Sequence, residues 1–340
     1  MGMRAFAQSC LSKIKKFPSD LKSLYKDHVL SSSITAALDT SKAVRSPNKE
    51  VFPGATSRPF APLSRFESNH VRQSKSDLIT AAPIAVLAAL PIVGYGAMVG
   101  AFVIPRYTLS RQFFDADERW QFALEDVKER EKFYPQLCDA VGKHVKMDAV
   151  AEALALYRTL EDSPPSDGKH LDDDRMKYIQ EVLAPFREGR GLCFNSGLSR
   201  NDLVALSASR GFSRLHTKDF GGVLNACPSN MLRRMLMDHA IDVKTDDFLI
   251  HAEKLLELSS KASSSSARQT LNDDDLRDAN SFRGLTINRD AVDKMFQTLH
   301  SHVSIVGREA GFLDDSKTSS NVVTPSLVLF LPALLPMNKK

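Results

Sequence analysis

The sequence predicts a mainly α chain in which a single transmembrane helix precedes an all-helical aqueous domain, and three observations carry that reading. From Leu78 to Pro105 no side chain is charged, with Asp77 before the run and Arg106 after it. A bilayer core takes roughly 20 apolar residues in helical form, and this run exceeds that. Buried helices of soluble domains are shorter and usually keep a polar stripe, which ranks the soluble-core reading second. Beyond the run, apolar residues recur at three- and four-residue steps, and strand-like alternation is scarce.

Composition makes the membrane signal local. The 340 residues are 43% hydrophobic and 25% charged, as expected of a largely aqueous chain. Cys10, Cys138, Cys193 and Cys227 lie far apart with no C-x-x-C pair, so neither a disulfide scaffold nor a zinc site is indicated. The net charge of +4 names no partner by itself.

In chain order, residues 1–76 are predicted to be a targeting sequence and a linker. Arg4, Lys13, Lys15 and Lys16 precede the first acid, Asp20, and Phe6, Leu11 and Ile14 can share one helical side. This acid-poor amphipathic pattern suits a mitochondrial presequence and equally a basic tail; no apolar core of a secretory signal follows. The stretch to His70, with Pro47, Pro53, Pro59 and Pro62, shows no helical period and reads as a linker.

The span is placed at residues 77–106. Pro83 and Pro91 predict a kink that a membrane helix tolerates, and Gly96 and Gly100 form a small-x-x-x-small step. Such glycines are frequent in membrane helices without a pairing role. The run holds no acid to bind and release an ion, so anchoring is favoured over conduction. Basic residues on both sides leave the orientation open.

Residues 107–190 are predicted to be a helical connecting region. Leu109, Phe113, Phe114, Trp120, Leu124 and Val127 suggest two amphipathic helices, the second capped by Asp115 or Asp117. The aromatic residues suit an interfacial anchor or a core. A further helix is expected from Met147 to Leu160, with a break from Ser163 to Gly168.

Residues 191–340 are read as one helical domain. A helix begins near Leu198; Pro228 introduces another, with Ser229 as its cap and Met231, Leu232, Met235 and Leu236 as its apolar face. A third, from Asp275, is stopped by Gly284.

The pattern resembles the LETM family of mitochondrial inner-membrane proteins, and most closely its LETM domain-containing branch. Phe102-Val103-Ile104-Pro105-Arg106 is similar to the end of the family's membrane segment. Pro228 with Met231-Leu232-Arg233 and Leu236 matches the family's proline followed by Leu-Leu-Arg and another leucine. Asp246-Asp247, Leu249-Ile250 and Glu253 follow its Asp-Asp-x-Leu-Ile-x-x-Glu-Gly run, with Lys254 in place of glycine. Leu276, Ala279, Arg283 and Gly284 follow Leu-x-x-Ala-Cys-x-x-Arg-Gly, with Asn280 in place of cysteine. Thr324 to Leu329 resembles the closing Pro-Thr/Ser-Leu-Leu-x-Leu segment, so Val322 to Met337 is expected to pack on the domain and not to form a second span. Each motif is weak alone, and their order and spacing make them specific.

Asp172 to Asp174 and Asp273 to Asp275 lack the spacing of a calcium loop, and no long heptad region is present. Calcium sensing is therefore not carried over. The Ser259 to Ser266 tract reads as a flexible insertion.

The resemblance implies an all-helical LETM-type, ribosome-binding-like domain. It further implies an inner-membrane adaptor whose carboxyl-terminal part faces the matrix, binds the mitochondrial ribosome through protein and rRNA, and supports inner-membrane protein biogenesis. The alternative it implies is a component of potassium/proton exchange and volume homeostasis, acting as a homo-oligomer or through a membrane partner. Arg210, Arg214, Lys218, Arg233, Arg234, Arg283, Arg289 and Lys294 are the candidate ribosome contacts, because arginine and lysine offer charge to phosphates; singly, each also suits a solvated face. No cofactor or metal is expected. No nucleophile motif surrounds His144, His216 or His239, and no phosphate-binding glycine loop occurs, so the chain is not expected to be an enzyme.

Overall fold

In the computed structural model, residues 19–36, 64–88, 109–162, 169–212, 223–252, 271–306 and 323–335 are described. They form two compact units, Met1–Arg119 and Trp120–Lys340. Every regular element among them is helical.

The first unit contains α1 (19–36) and α2 (Arg65–Ala88). Ser64 and Glu67 cap the start of α2 reciprocally: the Glu67 amide donates to the Ser64 hydroxyl at 3.3 Å, and the Ser64 amide donates to the Glu67 carboxylate at 2.9 Å. Gln112 ties the two helices together, its amide donating at 3.0 Å to Asp27 of α1 and at 3.0 Å to Asp77 of α2. α1 and the first half of α2 fall within the segment expected to be an irregular linker, and α2 continues into the residues placed in the span. α1 sits in a serine-containing stretch, and the capping residues of α2 precede the apolar run by more than two turns. No described helix is long and apolar enough to cross a membrane. Leu78 and Pro83 lie on α2, whereas Pro91, Gly96, Gly100 and Pro105 fall outside the described residues.

The second unit begins within α3 (Ala116–Glu131). Asp115 caps this helix, accepting from the Glu118 amide at 2.8 Å, while Asp117 sits in its first turn. There follow α4 (Tyr134–Gly142), α5 (Met147–Asp162), α6 (Lys169–Val182) and α7 (Arg200–Ser209). Then come the short α8 (Val223–Ala226), α9 (Ser229–Ala252), α10 (Asp273–Arg283), α11 (Val292–Val306) and α12 (Pro325–Leu334). α9 is the hub, packing against α7, α11 and α12, while α5 pairs with α6 and α10 with α11. Leu137 and Val150 from the predicted connecting region share one core with Leu232, Leu299 and Leu331.

α12 is buried from Ser326 to Leu334, as an apolar helix with no polar face must be. Two hydroxyls fix its entry. Thr324 accepts from the Leu327 amide at 3.2 Å and donates to the Phe186 carbonyl at 3.1 Å, and Ser326 accepts from the Phe194 amide at 3.2 Å. The tail therefore packs within the domain, as expected from the resemblance. α9 is longer than the compact helix expected at Pro228. Its first helical residue is Ser229, whose hydroxyl accepts from Arg200 at 2.9 Å and so belongs to an interhelical contact, not a cap. Leu232 and Leu236 are fully buried, while Met231 is exposed.

Truncating a fully buried leucine of α12 removes methyl groups from a site packed on all sides. Leu327→Ala is expected to cost about 2–5 kcal/mol, read as a lower urea midpoint with an unchanged slope.

Candidate functional site

Most of the motif residues meet at the end of α10. Asn272 and Asp275 form a capping box at its start, with the Asp275 amide donating to Asn272 at 2.8 Å. Asp273 to Asp275 thus lie against the positive end of a helix. At the other end Gly284 turns the chain at φ 75°, and the amides of Gly284 and Leu285 close back onto Ser281 and Asn280.

The last carbonyls of a helix lack intrahelical donors and carry partial negative charge. Here cations and a phenol supply them. Arg130 of α3 donates to Ser281 at 2.5 Å, Arg210 at the end of α7 donates to Arg283 at 2.7 Å, and the Tyr134 hydroxyl of α4 donates to Gly284. Three separate helices are therefore pinned to one helix terminus. A Cβ on Gly284 would stand 3.0 Å from the Tyr134 hydroxyl and 3.3 Å from an Arg210 nitrogen, so the glycine is required by space as well as by φ.

Arg283 points inward. Its side chain is fully buried and donates to Asp247 at 2.8 Å, to Asp246 at 2.6 Å and to the Ala279 carbonyl at 2.8 Å. Desolvation opposes the charge, but the two carboxylates outweigh it and raise the guanidinium pKa. His302 of α11 completes the cluster, with Nδ1 3.1 Å from the second Asp247 oxygen. Burial holds this imidazole below the usual histidine range; Asp247 pulls the other way, and Arg283 and Arg210 add to the depression. Burial also pulls Arg210 down to about 10, which leaves it charged at neutral pH. Lys244, one turn before Asp247 on α9, donates to the Val306 carbonyl at the end of α11. Asn280, at the family's cysteine position, donates to Leu276 at 2.9 Å and to Met295 at 3.3 Å, bridging α10 to α11.

The candidate contacts divide sharply. Arg210 and Arg283 are buried and committed to internal bonds, so neither guanidinium faces solvent in this fold. Arg233 is half-buried and donates to the Phe194 carbonyl at 3.1 Å, and Arg234, Arg289 and Lys294 are exposed. Arg214 and Lys218 lie outside the described residues, as does the Ser259 to Ser266 tract. His239 is packed edge-on between Phe212 and Phe282, as suits a core histidine. Trp120 lies under the Arg277 guanidinium at 5.3 Å and packs against the core. Among the described residues no cluster of His, Cys, Asp and Glu could hold a metal.

The described residues define a helical domain whose helix termini are locked by internal charge. Comparison with known proteins gives the family. The family described as "LETM1-like, RBD" matches residues 63–311, and the chain belongs to it. The chain is also similar to LETM1 domain-containing protein 1 of Xenopus tropicalis, at 30% identity over 150 residues, 37% of this chain and 42% of that protein. The match thus spans less than half the length of that relative.

Two measurements probe the cluster. Because burial lowers the His302 pKa in the folded state, the unfolded chain takes up this proton at higher pH, so the contribution to stability is full above about pH 6.5 and is lost as pH drops through that value. Stability is expected to fall as pH drops below about 6.5, and His302→Gln should lessen that fall. Gly284→Ala is expected to lower stability by about 1–3 kcal/mol in chemical denaturation, since alanine is strained at φ 75°.

Proposed function

We propose that this chain is a mitochondrial inner-membrane adaptor whose matrix-facing helical domain binds mitochondrial ribosomes and supports inner-membrane protein biogenesis. The observation that supports it is the family match over residues 63–311, whose description designates a ribosome-binding domain. Members of this family are associated with the mitochondrial inner membrane. The uncharged run from Leu78 to Pro105 suits a single-pass tether, and its lack of acids favours anchoring over ion exchange.

Surface chemistry is consistent with a phosphate-bearing partner. Arg234 on α9 and Arg289 between α10 and α11 are exposed, so they can reach a partner without unfolding the domain. Arg214 and Lys218 remain part of the proposed contact set. Arg210 and Arg283 act in this reading through the scaffold, holding α7, α9 and α10 together.

Sedimentation of detergent-solubilised mitochondria tests the reading. The chain should travel with ribosomal particles at low salt and leave them as salt rises. Arg234→Glu with Arg289→Glu should lower the bound fraction several-fold and flatten the salt dependence while leaving the unfolding midpoint nearly unchanged. A wild-type chain that never enters the ribosomal fraction at low salt contradicts the proposal.

A further inference from the structure

A second basic feature lies away from the buried cluster. Between α5 and α11 is a cleft of about 440 Å³, within the range of small-molecule sites, lined by Arg158, Asn288, Lys294, Gln297 and Ser301 with Met295 and Leu335 as apolar wall. Lys294, Gln297 and Ser301 follow one another at three and four residues along α11, so they share a helical face.

Arg158 is the anomaly. Its Nε and Nη2 are shielded from solvent and bond nothing, and burial lowers its pKa with no acidic side chain offsetting the effect. A partly buried guanidinium without a counter-charge is unfavourable, and the buried Arg210, Arg277 and Arg283 each donate to a carbonyl or carboxylate. The Nε and Nη2 edge is the fork that accepts an oxyanion side-on. The side chains of Lys294, Gln297 and Ser301 also donate to no described residue, whereas Thr298 is already spent on the Lys294 carbonyl at 2.7 Å. Thr286, also on the lining, donates to Glu131 at 3.2 Å.

We propose that this cleft binds the phosphate of a phosphate monoester, with Arg158 and Lys294 supplying charge, Gln297 and Ser301 supplying neutral donors, and Met295 and Leu335 receiving the organic part. Two cations and several donors exceed what a single carboxylate can use and match a group with three acceptor oxygens and close to two negative charges. The cleft shares Lys294 with the candidate ribosome contacts, and Arg158→Met leaves all of those contacts in place, so that variant tests the cleft separately from ribosome binding.

The test is the thermal midpoint of the full chain in detergent micelles, titrated with inorganic phosphate against chloride at equal ionic strength. A saturable upward shift is expected for phosphate alone, abolished in Arg158→Met and weakened in Ser301→Ala. Arg158→Met should also unfold, without phosphate, at or above the wild-type midpoint, since an unpaired charge has been removed. Glycerol 3-phosphate and phosphatidic acid carried in the micelles then separate the sources: the one giving the larger shift at equal phosphate identifies a soluble ester or a lipid headgroup. Equal shifts in phosphate and chloride, or a phosphate shift that survives Arg158→Met, overturn the proposal.

Discussion

The domain depends on keeping one guanidinium charged where there is no water. Arg283 is fully buried, and only the paired carboxylates of Asp246 and Asp247 make its charge tolerable. Such a cluster adds little net stability over a well-packed apolar one, but losing one member strands the rest, so it strongly disfavours arrangements in which α9 and α10 separate. The backbone next to it does comparable work. With Arg283 pointing inward, the carbonyls at the end of α10 face outward and collect Arg130, Arg210 and Tyr134 from α3, α7 and α4. The ionic contact and the helix terminus thus organise the packing of four helices around α10.

This arrangement changes what the family motifs mean in this chain. The Asp-Asp pair and the Arg-Gly pair are two halves of one internal device, and the glycine is required because Tyr134 and Arg210 occupy the space a side chain would fill. Asn280 and Lys244 extend the device to both ends of α11 by donating to Met295 and Val306. Motif residues in this domain therefore act as scaffold. In the proposed reading, recognition falls to exposed side chains such as Arg234 and Arg289.

Part of this was legible in the sequence where the signal is local. Gly284 stopping a helix and Asp115 or Asp117 opening one follow from residues a few positions apart, of which Asp115 is the cap, whereas the packing of the tail from Thr324 was legible only through the family resemblance. The burial of Arg283 was not legible from charge alone, since its partners lie 36 and 37 positions away and nothing in an arginine's surroundings along the chain reports burial. The two motifs occurring together were the available signal, because opposite charges in separate motifs of one family can be mutual partners. The start of α2 is a different case: Ser64-x-x-Glu67 is a capping-box pattern visible in the sequence, obscured by the prolines before it. Arg158 on α5 and the donors of α11 beside it lie far apart in sequence, and only folding sets them around one cleft.

The central claim is that Arg283 and Asp247 act as one unit that holds α10 to α9. A double-mutant cycle with Arg283→Met and Asp247→Asn measures this directly through unfolding free energies of the full chain. Each single change strands a buried charge and should cost about 3–5 kcal/mol, while the double change removes both charges and should cost much less than the sum. A coupling of about 2 kcal/mol or more agrees with the account. Single-mutant costs that add to within about 0.5 kcal/mol would contradict it, because the pair would then be two independent side chains that happen to lie in the same core.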